Sequence, residues 1–203
     1  MVMTKKNIIL TGFMGTGKST VGKMLAEKLG YSFIDTDETI MSRCGITVAE
    51  IFKSQGEASF RKMERTLALE LSNQEMLVIS TGGGMLLDSM NADLLEGTID
   101  SQMDGHKVGD LTNNKEPIMR NHKDTAKTKG KIFCLVAAPD EIVARVSGDI
   151  SVERPLLKVG DPKARVAELL QERKEKYARF IEVDTTAKTP ETVCNTIIKL
   201  FQN

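Results

Sequence analysis

Asn7-Ile-Ile-Leu-Thr11 is a short apolar run of branched residues that reads as a strand, and glycine punctuation follows it at once. Val21, Leu25 and Leu29 then recur at helical spacing up to Gly30, which stands where a helix stops. Phe33-Ile34 reads as a second short strand. Thr47 to Lys53 and Phe60 to Leu71 read as two helices, the second carrying Phe60, Met63, Leu67 and Leu71 on one face. Met76 to Ile79 is a third strand, Ile132 to Val136 a fourth and Phe180 to Val183 a weaker fifth, with helical stretches at Asp140 to Val146, Ala164 to Phe180 and Pro190 to Phe201. Strands separated by helices predict an α/β fold whose sheet is parallel and whose crossovers are right-handed. One segment breaks the rhythm: from Thr98 to Gly130 the chain is polar, holds both histidines (His106 and His122) and sustains no period, so it reads as an inserted excursion or a disordered loop.

Composition adds limits. A chain of 203 residues fits one domain and buries a core without staples. With 28 Lys plus Arg against 28 Asp plus Glu, the net charge of zero gives no reason to expect nucleic acid or an anionic membrane as partner. Cys44, Cys134 and Cys194 are an odd number, far apart and without C-x-x-C, so they are expected as reduced thiols and not as zinc ligands. The apolar run before the first glycine is too short for a signal sequence, and no stretch of 18 apolar residues occurs, so the expectation is a cytoplasmic protein.

Gly12-Phe-Met-Gly15-Thr-Gly17-Lys18-Ser19-Thr20 satisfies G-x-x-x-x-G-K-[ST], and it stands between a strand and a helix, the context that motif requires. Gly15 and Gly17 let backbone amides turn toward phosphate oxygens. Lys18 reaches the β and γ phosphates, and the Ser19 hydroxyl is placed to ligate Mg²⁺. The third strand runs into Thr81-Gly82-Gly83-Gly84 without an aspartate, so the metal-orienting carboxylate must come from elsewhere. Asp35-Thr36-Asp37 follows the second strand on the rim where ligands of an open parallel sheet bind. Two carboxylates at i, i+2 can divide the work, one orienting hydrated Mg²⁺ and the other accepting the proton of an acceptor hydroxyl. The structural alternative is an acidic turn in which Asp37, followed by Glu38, caps the next helix. The three glycines leave bare amides that a small polar substrate can approach closely. Arg61 sits near a helix start and wants an anion, for which Glu57 or Glu64 could serve structurally. Arg154, in Glu153-Arg-Pro-Leu-Leu157 between Gly148 and Gly160, reads as part of a mobile loop able to fold over a transferring phosphate. Arg173 lies on a heavily charged helix, where a solvated arginine is the default.

Taken in order and spacing, these blocks, with Gly45-Ile-Thr-Val-Ala-Glu-Ile-Phe52 and the Arg173 to Tyr177 stretch, resemble the shikimate kinase family over nearly the whole chain except the excursion. The resemblance implies a single P-loop kinase domain over residues 1–203, with a five-stranded parallel sheet in the order 2-3-1-4-5 flanked by helices. It implies a substrate-binding segment at 35–64 and a lid at 147–160; the polar insertion at 98–130 departs from the family, and because it enters just before the fourth strand it is expected on the rim opposite the chemistry. It further implies that ATP phosphorylates the 3-hydroxyl of shikimate, on the way to chorismate and the aromatic amino acids, with Mg²⁺ as cofactor, in a monomer. Under it, Asp37, Arg61, Gly83, Gly84 and Arg173 bind shikimate, with Asp37 as base. Gly15, Thr16, Gly17, Lys18, Ser19, Thr20, Arg145 and Arg154 bind nucleotide, with Lys18 and Arg154 neutralising phosphate charge and the loop from Thr186 to Pro190 beside the adenine. Ser19 and, through water, Asp35 serve the metal. The family's Arg-x-Pro-Leu-Tyr is Arg173-Lys-Glu-Lys-Tyr177 here, so the helix continues with charge where a proline would fix the backbone. The alternatives are a P-loop kinase for another hydroxy acid such as gluconate, or a nucleotide-binding module without catalysis.

Overall fold

The computed structural model describes residues 6–99, 130–147 and 162–202. Its strands are β1 (Ile8–Gly12), β2 (Ser32–Asp35), β3 (Leu77–Ser80), β4 (Lys131–Val136) and β5 (Ile181–Asp184). All pairings are parallel and the order is β2-β3-β1-β4-β5, as the resemblance implies. The helices are α1 (Lys18–Leu29), α2 (Thr36–Cys44), α3 (Val48–Leu71), α4 (Ser89–Glu96), α5 (Pro139–Ser147), α6 (Pro162–Tyr177) and α7 (Pro190–Gln202), with a 3-10 turn at Met85–Leu87.

β1 is buried along its whole length because both sheet faces are covered. Ile8 and Leu10 enter a core with Val21 and Leu25 of α1 and Val193 and Ile197 of α7; Ile9 points the other way, into a core with Leu67 and Leu71 of α3 and Leu95 of α4. A third cluster packs Phe13 under Ile142 and Val146 of α5 and Val166 and Leu169 of α6, which seats the phosphate loop on those helices. Cys44, Cys134 and Cys194 are free thiols, the last two buried. Among the described residues no helix is long and apolar enough to cross a membrane.

Several elements differ from the sequence expectation. The two helices expected at 47–53 and 60–71 are the arms of α3, which bends at Gly56, where φ is 81°. Only glycine takes that conformation cheaply, and the helical backbone breaks there, so the two helices expected from the periodicity are present on either side of the kink. A capping box of Thr47 with Glu50 starts it. Met76 has a φ of 59°, which delays β3 by one residue. The last helical stretch before β5 stops at Tyr177, and Phe180 is buried in the core beside the strand. α2 and α4 had no counterpart in the periodicity. The excursion at 98–130, apart from Thr98, Ile99 and Gly130, and the lid at 147–160, apart from Ser147, lie outside the described residues, and Arg154 with them. After the excursion the chain re-enters at the amino edge of the sheet, where the Lys131 amide donates to the Asn7 carbonyl at 3.0 Å.

Candidate active site

The carboxyl edge of the sheet gathers the chemistry. β1 runs into the loop at Gly12, and Gly15 and Gly17 hold φ of 75° and 91°, the second as N-cap of α1. Thr16 is buried and its hydroxyl donates to the Phe13 carbonyl at 2.8 Å, closing the loop on itself. Thr20 is exposed on the first turn of α1. Lys18 Nζ donates to the carbonyls of Gly12 and Phe13, each at 2.9 Å. Burial pushes the Lys18 pKa down to about 8, although Asp37 and Asp35 act to keep it charged.

β2 ends at Asp35, in register with Ser80 at the end of β3. The Ser19 hydroxyl donates to Asp35 Oδ2 at 3.0 Å and lies 3.5 Å from the Ser80 hydroxyl. Asp35 Oδ1 accepts the amides of Asp37 at 3.1 Å and Glu38 at 3.4 Å, so the N-cap of α2 is Asp35 and not Asp37. The cap therefore leaves the Asp37 carboxylate free for other work. Its Oδ1 is buried and has no hydrogen-bond partner among the described residues. Burial first, and the charge of Asp35 second, push the Asp37 pKa up to about 6, against the pull of Lys18 and Arg61.

The triple-glycine turn faces this carboxylate. Thr36 is fully buried, and its hydroxyl accepts the Gly82 amide at 2.9 Å, pinning the turn to the start of α2. A Cβ on Gly82 would overlap Asp37 Oδ1. Arg61 approaches the same turn from α3. Its guanidinium donates to Glu57 Oε1 at 3.1 and 2.8 Å and to Glu64 Oε2 at 2.7 Å, so both acids named from the spacing are its partners. Glu64 is 1% exposed with Oε1 unpaired among the described residues; burial pushes its pKa up to about 7, while Arg61 pulls it back. Arg173 arrives from α6: its NH1 donates to the Gly83 carbonyl at 3.0 Å, and its guanidinium carbon lies 5.2 Å from the centre of the Phe13 ring. The charged Lys174-Glu175-Lys176 stretch continues α6, and Arg173 reaches the Gly83 carbonyl from that helix. Arg173 is thus no solvated surface residue. Two guanidinium groups flank one glycine turn, whose Gly83 and Gly84 amides donate to nothing among the described residues.

Arg145 marks the other end of the loop. It donates to the Gly15 carbonyl at 3.2 Å, to the Thr185 hydroxyl at 3.0 Å and to the Thr185 carbonyl at 2.9 Å, and it pairs with Glu141. Glu141 also accepts the Ala187 amide at 2.8 Å, joining α5 to the Thr186 to Pro190 loop. Sequence reasoning passed over Glu141, Thr36 and the ring of Phe13; the i, i+4 spacing of Glu141 and Arg145 was the one available signal. For a magnesium ion the fit is with hard oxygen donors. Ser19 and Asp35 present a hydroxyl and a carboxylate side by side, while no group of three or more His, Cys, Asp or Glu that could hold a metal occurs among the described residues. That matches an ion held chiefly by phosphates and water, with one or two protein oxygens.

The family model described as shikimate kinase matches residues 14–106 and 113–202. A shikimate kinase of Caldanaerobacter subterraneus subsp. tengcongensis is 38% identical over 198 residues, covering 97% of this chain and 96% of its own. The structure of shikimate kinase from Acinetobacter baumannii in complex with shikimate superposes with a TM-score of 0.75 at 28% identity, over 98% of this chain and 94% of that one. A gluconokinase from Sinorhizobium meliloti, at 17% identity and a TM-score of 0.50, shares the fold alone. A glycine cradle of this kind is common to many nucleotide-binding folds, but a family match over most of the sequence and a relative this similar from end to end are not, and the chain belongs to the shikimate kinase family.

Proposed function

We propose that this protein transfers the γ-phosphoryl group of ATP to the 3-hydroxyl of shikimate, giving shikimate 3-phosphate and ADP. The observation that supports this reading most is the convergence on one glycine turn of Asp37, Arg61 and Arg173. A ring acid with one carboxylate and several hydroxyls calls for guanidinium forks and a carboxylate acceptor. Arg61 and Arg173 hold the substrate carboxylate between them, and the amides of Gly83 and Gly84 donate to its oxygens. Asp37 accepts the proton of the 3-hydroxyl on Oδ1 as the hydroxyl oxygen attacks the γ-phosphorus and the bond to the ADP oxygen breaks. Lys18 leaves the loop carbonyls for the β and γ phosphate oxygens, while Arg145 and the 186–190 loop sit beside the base. Arg154 is assigned to the transferring phosphate from the sequence correspondence. Magnesium would be held by Ser19 and, through water, by Asp35, and would supply charge neutralisation to the phosphates.

ADP release measured with shikimate, with gluconate and with no acceptor tests this reading. Release that depends on shikimate is the expected result; release with gluconate alone, or equal release in all three, would remove it. The pH profile follows from the two shifted groups. Asp37 must be ionised to take the proton, so kcat/KM falls below about 6, and Lys18 must be charged to hold phosphate, so it falls above about 8. A bell between those limits is expected. A profile flat down to pH ~5 would show that no carboxyl raised in this way acts as base.

A further inference from the structure

Tyr177 has no role in the reaction described above, yet its hydroxyl donates to the Gly83 carbonyl at 2.6 Å, the same oxygen that takes Arg173 NH1 at 3.0 Å. The two residues stand i, i+4 on α6, on one face of an uninterrupted helix, and together they occupy both lone pairs of that carbonyl. We infer that Tyr177 is a positioning residue for the acceptor substrate: by gripping the Gly83 carbonyl it fixes the peptide plane whose other side carries the Gly84 amide.

The geometry of a trans peptide makes the link obligatory. The carbonyl of Gly83 and the N–H of Gly84 belong to one planar unit and point in opposite directions, so a carbonyl held toward α6 sends the N–H away from it. No cis bond occurs among the described residues, and the Gly84 amide donates to nothing among them. Glycine at 82, 83 and 84 supplies no side chain that could lock the plane instead. Thr36 pins the turn one residue earlier, through the Gly82 amide. Among the described residues the Gly83–Gly84 unit is held from α6 alone, by Arg173 and Tyr177. Arg173 is itself assigned to the substrate carboxylate, so its hold on Gly83 is shared with the ligand. Tyr177, with its ring among core residues and 6.3 Å from the Phe180 ring, is the anchor that does not have to move.

The inference rests on the reading of shikimate as substrate, and the Tyr177→Phe protein tests it separately. Phenylalanine keeps the ring contacts and removes only the hydroxyl, so folding is preserved. With wild-type turnover of shikimate as the reference, the KM for shikimate is expected to rise about tenfold, kcat to change less than about threefold and the KM for ATP to stay constant. Tyr177→Leu, which also deletes packing, is expected to lower the melting temperature in addition, whereas Tyr177→Phe leaves it within about 2 °C. An unchanged shikimate KM in Tyr177→Phe, or a rise in both KM values together with a loss of thermal stability, would overturn the positioning role while leaving the reaction intact. A wild-type protein that does not use shikimate would overturn both, and that failure is visible before any variant is made.

Discussion

An Asp37→Asn protein is expected to lose about a thousandfold in turnover and to melt at a higher temperature than the wild type. The two effects have one cause. Asp37 Oδ1 is buried without a partner among the described residues, and the folded protein shifts the carboxyl from the ordinary 3.8 up to about 6, chiefly by burial. A raised acid pKa means that the folded state holds the proton more tightly than the unfolded chain does. Below about pH 4 the carboxyl is protonated in both states and costs nothing. As pH rises toward 6 the unfolded chain ionises first, and above that the folded state carries a penalty of about 3 kcal/mol. Asparagine has no proton to lose, so at pH ~7 to 8 that penalty is absent. The asparagine amide is itself buried at a position where Oδ1 has no partner among the described residues, and that cost leaves a net gain of about 1–2 kcal/mol. For a chain of this length that corresponds to about 2–8 °C. Thermal denaturation at pH ~7.5, steady-state ADP release and ATP binding by calorimetry check the three parts. Nucleotide affinity should stay within about threefold. Full turnover with weakened ATP binding would move Asp37 from the acceptor to the nucleotide, and a lower melting temperature would mean that its charge is compensated in the fold.

That conflict between stability and reactivity is where the sequence was least informative. Spacing alone did not say which of Asp35 and Asp37 orients the metal and which faces the acceptor, and it offered Asp37 as the cap of the next helix. Which does which depends on α2, a nine-residue helix whose buried positions are only Thr36 and Ile40, too few to give a helical period. α4 is similarly short, at eight residues, and it ends just before the polar excursion. By contrast, β1 with the phosphate loop and α1 was legible because local rules agree there: a run of branched apolar residues, glycines at positive φ and a periodic helix stopped by Gly30. Spacing named Glu57 and Glu64 as partners of Arg61, and both bind it, because i, i±3 and i, i±4 contacts are fixed by the helix itself. It gave the wrong default for Arg173. Nothing within α6 reveals that its face meets Gly83, a contact across ninety positions of sequence that only the packed sheet creates. The family resemblance placed Arg173 and Gly83 in one substrate site, and it gave the strand order found in the sheet.

Gly84 offers the sharpest test of the arginine pocket, because a single methyl group there acts on one side chain. Gly84 has φ −115° and ψ −13°, which alanine adopts without difficulty, so Gly84→Ala introduces no backbone strain. Its Cβ would lie 2.8 Å from Arg61 NH1 and 2.9 Å from NH2, inside contact distance. The end of an arginine usually gives way cheaply. Here it is tied to Glu57 and Glu64 by bonds of 2.7 to 3.1 Å, and Glu64 is buried, so moving the guanidinium strands a buried carboxylate whose pKa burial already pushes up to about 7. Two responses are open to the protein: Arg61 rotates away and the Glu64 carboxyl takes a proton, or the glycine turn shifts outward and carries the Gly83 and Gly84 amides with it. Either response misaims a donor that must meet the substrate carboxylate, and a displacement of about 1 Å at such a point costs about a hundredfold. The expected result is therefore a shikimate KM raised about a hundredfold, an unchanged KM for ATP and a folded protein. If Gly84→Ala binds shikimate as the wild type does, Arg61 does not face the acceptor, and its ion pairs with Glu57 and Glu64 are its whole purpose.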